Sequence, residues 1–248
     1  MTETETIAPS ALHRVLDLLA NPPAEPDIDN GYLDLLDPAD EDPAEKNSGW
    51  IQAVWASSLG SLLYDNSQAV ARRLFTNIWQ HPLEWLAIPQ GGVALDVGSG
   101  PGNVTASLAD AAGPDGLAIG VDVSVPMLTR AVHAQAGPNT VFVHADAQRL
   151  PLRDQTVDAV VSIAALQLVP DPAKALAEMS RVLRPGGRLA VMVPTAGQAS
   201  RLLRLLPNVG GAHMFADDEL GDILEEQGFT SVRTSTLGTI QWARAKRA

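Results

Sequence analysis

The 248-residue chain contains no cysteine, which excludes a disulfide framework, a thiolate nucleophile and any cysteine-ligated metal site. It also lacks a long apolar run: no stretch reaches the roughly 18 uncharged residues that a membrane-spanning helix needs. Met1 is followed by Thr2-Glu3-Thr4-Glu5, without the basic and apolar regions of a secretory signal, so a cytoplasmic protein is expected. Histidines number only five, and no His or carboxylate spacing suggests a metal site. Basic residues are outnumbered 17 to 29, for a net charge of −12. Such a chain repels a phosphate backbone, and no basic stripe interleaves with aromatics, so nucleic acid is not an expected partner. Residues 1–48 hold 12 acidic and 2 basic side chains, which leaves the remainder near neutral at −2. The acidic segment reads as a solvated region.

What is present is a change of texture near residue 90. Before it, Leu12, Val15, Leu16 and Leu19 share one face of a short helix that Ser10 can cap and Asn21-Pro22-Pro23 breaks. From Trp50 to Leu86 the apolar spacing is helical, and four of the five tryptophans lie there. After it, short apolar runs alternate with helical patterns. Strands are expected at 93–97, 117–121, 141–144, 157–163 and 188–193, and helices at 104–112, 126–136 and 172–182. A helix at 217–227, with Asp217 as its N-cap, and a strand pair at 232–236 and 239–243 follow. This alternation is the pattern of a mostly parallel sheet covered on both faces. There is no internal repeat and no signal for an oligomeric state.

The strongest local motif is Asp96-Val97-Gly98-Ser99-Gly100-Pro101-Gly102-Asn103, between an expected strand and an expected helix. Glycines there allow positive φ and close backbone approach to a ligand, and the N–H groups of the following helix favour negative charge. A tight structural turn is the plainer reading. A dinucleotide fingerprint needs a third glycine or an alanine where Asn103 stands, so a nicotinamide oxidoreductase is disfavoured. Asp122 ends the next strand about 20 residues on; a carboxylate there can accept both hydroxyls of a ribose, or simply cap the helix that follows. Asp146-Ala147 follows the third strand and can read an adenine edge, or be an ordinary loop turn.

Taken in order, these residues resemble the class I (Rossmann-like) S-adenosylmethionine-dependent methyltransferases. The runs Asp122-Val123-Ser124 with Met127-Leu128, Asp146-Ala147 with Leu150-Pro151, Val157-Asp158, and Glu178 with Arg181 through Arg188 resemble the ubiquinone/menaquinone-biosynthesis type of small-molecule enzyme. The likeness is close over about residues 90–193. Leu152 and Val157 stand where that type commonly has Phe, and residues 194–248 differ from its substrate region. The resemblance implies an α/β fold: a seven-stranded, mostly parallel doubly wound sheet with an antiparallel last strand at 89–248, and an acidic segment with a helical lid at 1–88. It implies S-adenosylmethionine as cofactor. Gly98, Ser99 and Gly100 would pack on its methionine portion with Ala164 and Gln167, Asp122 would bind ribose, and Asp146 with Ala147 would meet adenine. Asp96, Asn103, Val123 and Met127 complete the expected cofactor set, and Tyr64 and Arg72 in the lid would approach it.

Methyl transfer is an in-line displacement, for which the cofactor carries the chemistry and the protein supplies orientation. A general base is needed only if the acceptor must lose a proton. His213, in the loop before the last helix, and Tyr64 are the candidates; His133 reads as a surface residue, His144 as structural and His81 as a turn residue. Trp50, Trp55 and Leu166 suggest a small hydrophobic or aromatic methyl acceptor. A non-catalytic S-adenosylmethionine-binding or regulatory protein on the same fold is the alternative.

Overall fold

Val93–Val97 and Thr140–His144 are buried at every position, as short apolar runs must be when helices cover both faces of a sheet. In the computed structural model, which describes residues 10–36, 84–195, 213–238 and 240–248, they are β2 and β4. The other strands are β1 (Leu33–Asp34), β3 (Leu117–Asp122), β5 (Val157–Ile163), β6 (Leu183–Pro194), β7 (Phe229–Leu237) and β8 (Ile240–Arg247). The helices are α1 (Ser10–Leu16), α2 (Asn103–Ala112), α3 (Val125–Gln135), α4 (Pro172–Val182) and α5 (Glu219–Glu226), with one 3₁₀ turn at Leu166–Leu168. The sheet order is β1-β4-β3-β2-β5-β6-β8-β7. Strands β1 to β6 pair in parallel, and β8 inserts antiparallel between β6 and β7.

Seven strands were expected, and the described residues form eight. The addition is β1, which pairs in parallel with β4. Two residues are too few for an alternating pattern to show in sequence; β1 forms because Tyr32 and Leu33 are both buried against the sheet. The Pro185-Gly186-Gly187 turn is absorbed into the start of β6, with a register irregularity opposite Val157–Ala159. Helix α5 begins at Glu219, two residues after the expected start, and Asp218 rather than Asp217 is its N-cap.

The main core joins α1 and β1 to the sheet: Leu12, Val15, Leu19 and Leu33 pack with Leu95, Ile119, Val143 and Val160. Arg14 ties α1 down through the carbonyls of Gly116 (2.6 Å) and Asp115 (2.8 Å). On the helical side, Thr105, Leu108, Ala109 and Ala112 form the buried stripe of α2. A second latch closes the loop between β4 and β5. All five N–H groups of Arg181 are used, on Glu178 (2.7 Å twice), Asp154 (2.7 Å) and the carbonyls of Leu152 (2.8 Å) and Leu150 (2.9 Å). The Glu178…Arg181 motif is thus structural.

The chain runs from β2 outward to β3 and β4, then returns to β5 on the other side of β2. Ligands of such sheets sit at this reversal, beyond the carboxyl ends of the strands. The turns after β2, β3, β4 and β5 meet there. No described helix is long and apolar enough to cross a membrane.

Candidate cofactor site

The turn after β2 is fixed by its neighbours. Gly98 and Ser99 both donate their N–H to the carbonyl of Val121 on β3, at 2.8 and 3.0 Å. Gly98 has φ +76°, and a Cβ built on it falls 2.1 Å from the Cβ of Ala165, so the turns after β2 and β5 touch with no side chain between them. Gly102, at φ +82°, precedes α2 as a cap residue without a side chain. Asp96 supplies what is missing: its Oδ2 accepts the hydroxyl of Thr105 in the first turn of α2, at 2.7 Å. Asp96 is 1% exposed. Burial pushes its carboxyl up to about 7, the Thr105 hydroxyl pulls against that, and the charge of Asp122 adds to it.

Asp122 stands at the end of β3, half-buried, with both oxygens engaged. Oδ2 accepts the N–H of Gly100 and Oδ1 the N–H of Ser124, each at 2.8 Å. Burial raises its pKa, while N–H groups from Gly100, Ser124 and Val123 and the nearby His144 favour the ionised form. Each oxygen keeps lone-pair capacity for a further donor. Asp122 therefore caps its own loop and remains able to accept a ligand hydroxyl, so the two readings from sequence are compatible.

After β4, Asp146 Oδ1 accepts the N–H of Gln148 (2.9 Å), and the Gln148 amide reaches Asp146 Oδ2 (3.1 Å). Gln148 Oε1 in turn accepts the N–H of Asp171, at 3.1 Å. After β5, Ala164 adopts φ +53°, rare for a residue with a side chain, and its N–H is held by Met192 O at 2.9 Å. Gln167 Nε2 donates to Ala164 O at 2.6 Å.

Two buried polar atoms in these turns have no partner among the described residues: Ser99 Oγ and Gln167 Oε1. Such atoms are costly unless something completes them. They belong to the turns that touch at Gly98 and Ala165. These residues fit S-adenosylmethionine: Ser99 and Gln167 could meet its ammonium and carboxylate, Asp122 its ribose hydroxyls and Asp146 with Ala147 its adenine.

The remaining candidates distribute as follows. Met127 is buried and Val123 is exposed. The Asn103 side chain accepts from Gln135 Nε2 (3.1 Å), bridging α2 and α3. His133 is exposed, as expected. Tyr64, Arg72, Trp50, Trp55 and His81 lie outside the described residues. His213 donates its N–H to Gln167 O (2.7 Å), which ties it to the turn after β5. Its ring packs edge-on against Phe215 at 4.6 Å, and Nε2 lies 2.6 Å from Glu219 Oε1. Sequence reasoning missed Glu219 as a partner, although it stands six residues downstream at the start of the expected helix. It also missed Asp34, which engages His144. No group of three or more potential metal ligands occurs among the described residues.

A family model described as "Methyltransferase domain" matches residues 95–191. A demethylmenaquinone methyltransferase from Roseiflexus castenholzii is 38% identical over 151 residues, covering 60% of this chain and 62% of that protein. The ubiquinone/menaquinone biosynthesis C-methyltransferase UbiE of Saccharophagus degradans is 30% identical over 183 residues, covering 68% of this chain and 71% of that protein. The chain spans about three fifths of the length of the Roseiflexus relative. Among solved structures, a SAM-dependent methyltransferase from Aquifex aeolicus shares the fold, with TM-score 0.57, 24% identity and coverage of 68% of this chain and 89% of that one.

Proposed function

The chain belongs to the class I S-adenosylmethionine-dependent methyltransferases, and from that premise we propose that it methylates a small hydrophobic or aromatic metabolite. The observation that carries the cofactor part of this reading is the pair of unsatisfied buried atoms, Ser99 Oγ and Gln167 Oε1, on the two turns that meet at the sheet's switch point. Ser99 and Gln167 would hold the methionine end, Asp122 the ribose hydroxyls and Asp146 with Ala147 the adenine. When bound there, S-adenosylmethionine supplies an activated methyl on a sulfonium.

This chain's own residues supply the rest. The rigid turns fix orientation, a contribution on the order of 7–11 kcal/mol when reacting groups are pre-positioned. His213 is the candidate proton acceptor. Glu219 is held by the N–H of Ala216 on Oε2 (2.8 Å) and presents Oε1 to His213 Nε2. A carboxylate oxygen only accepts, so Nε2 carries the proton and a neutral ring offers Nδ1 as base. The backbone bond from His213 to Gln167 ties this pair to the turn that, in this reading, holds the methionine end, which supports a role toward the acceptor. The names of the quinone-type relatives support a hydrophobic acceptor, as does the exposed Met214 next to His213.

The test is a panel of phenols, hydroquinones, apolar amines and highly charged acceptors, incubated with methyl-labelled cofactor and read by mass spectrometry. Label on apolar phenols or quinols is the expected result. Methylation confined to highly charged acceptors would overturn the acceptor class.

A further inference from the structure

The register of the sheet sets three ionisable side chains in a row across neighbouring strands: Asp34 on β1 is opposite His144 on β4, and His144 is opposite Asp122 on β3. His144 Nδ1 lies 2.8 Å from Asp34 Oδ1, and Nε2 lies 3.2 Å from the carbonyl oxygen of Val123. Both partners are acceptors. A neutral imidazole has one N–H and would set a lone pair against one of them, whereas an imidazolium satisfies both.

We propose that His144 is held as an imidazolium that positions the ribose-binding loop, clamping Val123 on one side and the edge strand β1 on the other while keeping Asp122 ionised. This deepens the proposed function and rests on Asp122 being the ribose ligand.

The ring is nearly enclosed: its side chain is 11% exposed, and Tyr32 packs edge-on at 6.0 Å. Two carboxylates flank it, Asp34 from β1 and Asp122 from β3, and Asp27 bridges to Asp34 through the backbone. The Tyr32 hydroxyl is pushed up by burial and then by Asp34 and Asp27, as a ring beside carboxylates should be. Asp34 is fixed as an acceptor in its own right, since Oδ1 also takes the N–H of Leu36 at 3.3 Å. The backbone doubles the clamp, with Leu35 N–H on His144 O (3.0 Å) and Asp34 N–H on Asp27 O (2.9 Å).

Val123 sits between Asp122 and Ser124, whose N–H holds Asp122 Oδ1. Anchoring the Val123 carbonyl therefore anchors the loop that aims the carboxylate. The positive charge opposes the burial that favours a protonated Asp122, and only the ionised form leaves each oxygen a lone pair, beyond its N–H bond, for a ribose hydroxyl.

Two measurements test this on the full chain. Ring ¹⁵N–¹H correlation spectra of the wild-type protein near neutral pH should show both His144 nitrogens protonated; a single protonated nitrogen would overturn the proposal. In calorimetry with S-adenosylhomocysteine, His144→Gln, which keeps a donor but no charge, should weaken binding about tenfold, or 1.4 kcal/mol. Asp34→Asn should weaken it several-fold. Wild-type affinity in His144→Gln would refute the role. Should that variant fail to fold, the ring spectrum of the wild type decides. Unaltered binding in Asp122→Ala would instead refute the ribose assignment, leaving the ring's charge state as a separate result.

Discussion

Replacing Gly98 by alanine probes the contact on which the cofactor cradle is built. Two costs add. A side chain at φ +76° pays about 1–2 kcal/mol for the left-handed backbone. The new Cβ would also stand 2.1 Å from Ala165 Cβ, where carbons normally rest about 3.5–4 Å apart, and overpacking of this kind costs about 1–3 kcal/mol. Gly98→Ala should therefore destabilise the fold by about 2–5 kcal/mol, a large part of the stability of an ordinary domain. Ala165→Gly removes the atom that is struck. Ala165 itself has φ −116°, so glycine there adds only chain entropy, about 0.5–1 kcal/mol. The double variant should recover the overlap and retain the backbone strain, giving a coupling energy of about 1–3 kcal/mol in a urea-unfolding cycle. A cost below about 0.5 kcal/mol for Gly98→Ala, or no coupling to Ala165→Gly, would refute the reasoning.

Two further predictions concern stability. Asp96 is raised from 3.8 to about 7, so the folded protein binds a proton that the unfolded chain has released. Stability from this group is therefore lost as pH rises from about 4 to 7, and the penalty is complete above 7; three units correspond to the order of 4 kcal/mol. Urea unfolding at pH 5 and pH 8 should show Asp96→Asn gaining on the wild type at the higher pH, and an unchanged difference would contradict the burial argument. Arg181→Lys should cost about 2 kcal/mol, because a lysine cannot replace five directed N–H bonds. Thermal unfolding reads this as a midpoint several degrees lower, and an unshifted midpoint would deny the latch its role.

The parallel half of the sheet was legible because its strands are buried on both faces and read as apolar runs bounded by Gly and Pro. The turns proposed to hold the cofactor were legible as positions because each falls where such a run ends, at Gly98, Asp122, Asp146 and Gln167. What sequence did not disclose depends on long-range pairing. Strand β1 has only Leu33 and Asp34 to announce it. The first turn of α2 takes its cap from Asp96, across a turn, rather than from the residue before the helix. His144 reads as an ordinary strand-end residue until register sets it between Asp34 and Asp122. His213 acquires a partner only when α5 begins at Glu219, after Asp218 rather than Asp217 takes the cap position. Helices α2 and α3 begin one residue before the expected positions, with cap residues Gly102 and Ser124 that make no side-chain bond, whereas α4, capped by the Asp171 side chain, begins where expected.

The most direct test of the central claim is calorimetric titration of the purified chain with S-adenosylmethionine and S-adenosylhomocysteine, with NAD as control and Asp122→Ala alongside. Both adenosyl ligands should bind, that binding should be lost in Asp122→Ala, and NAD should not bind. Failure to bind either adenosyl ligand, or equal binding of NAD, would contradict the claim.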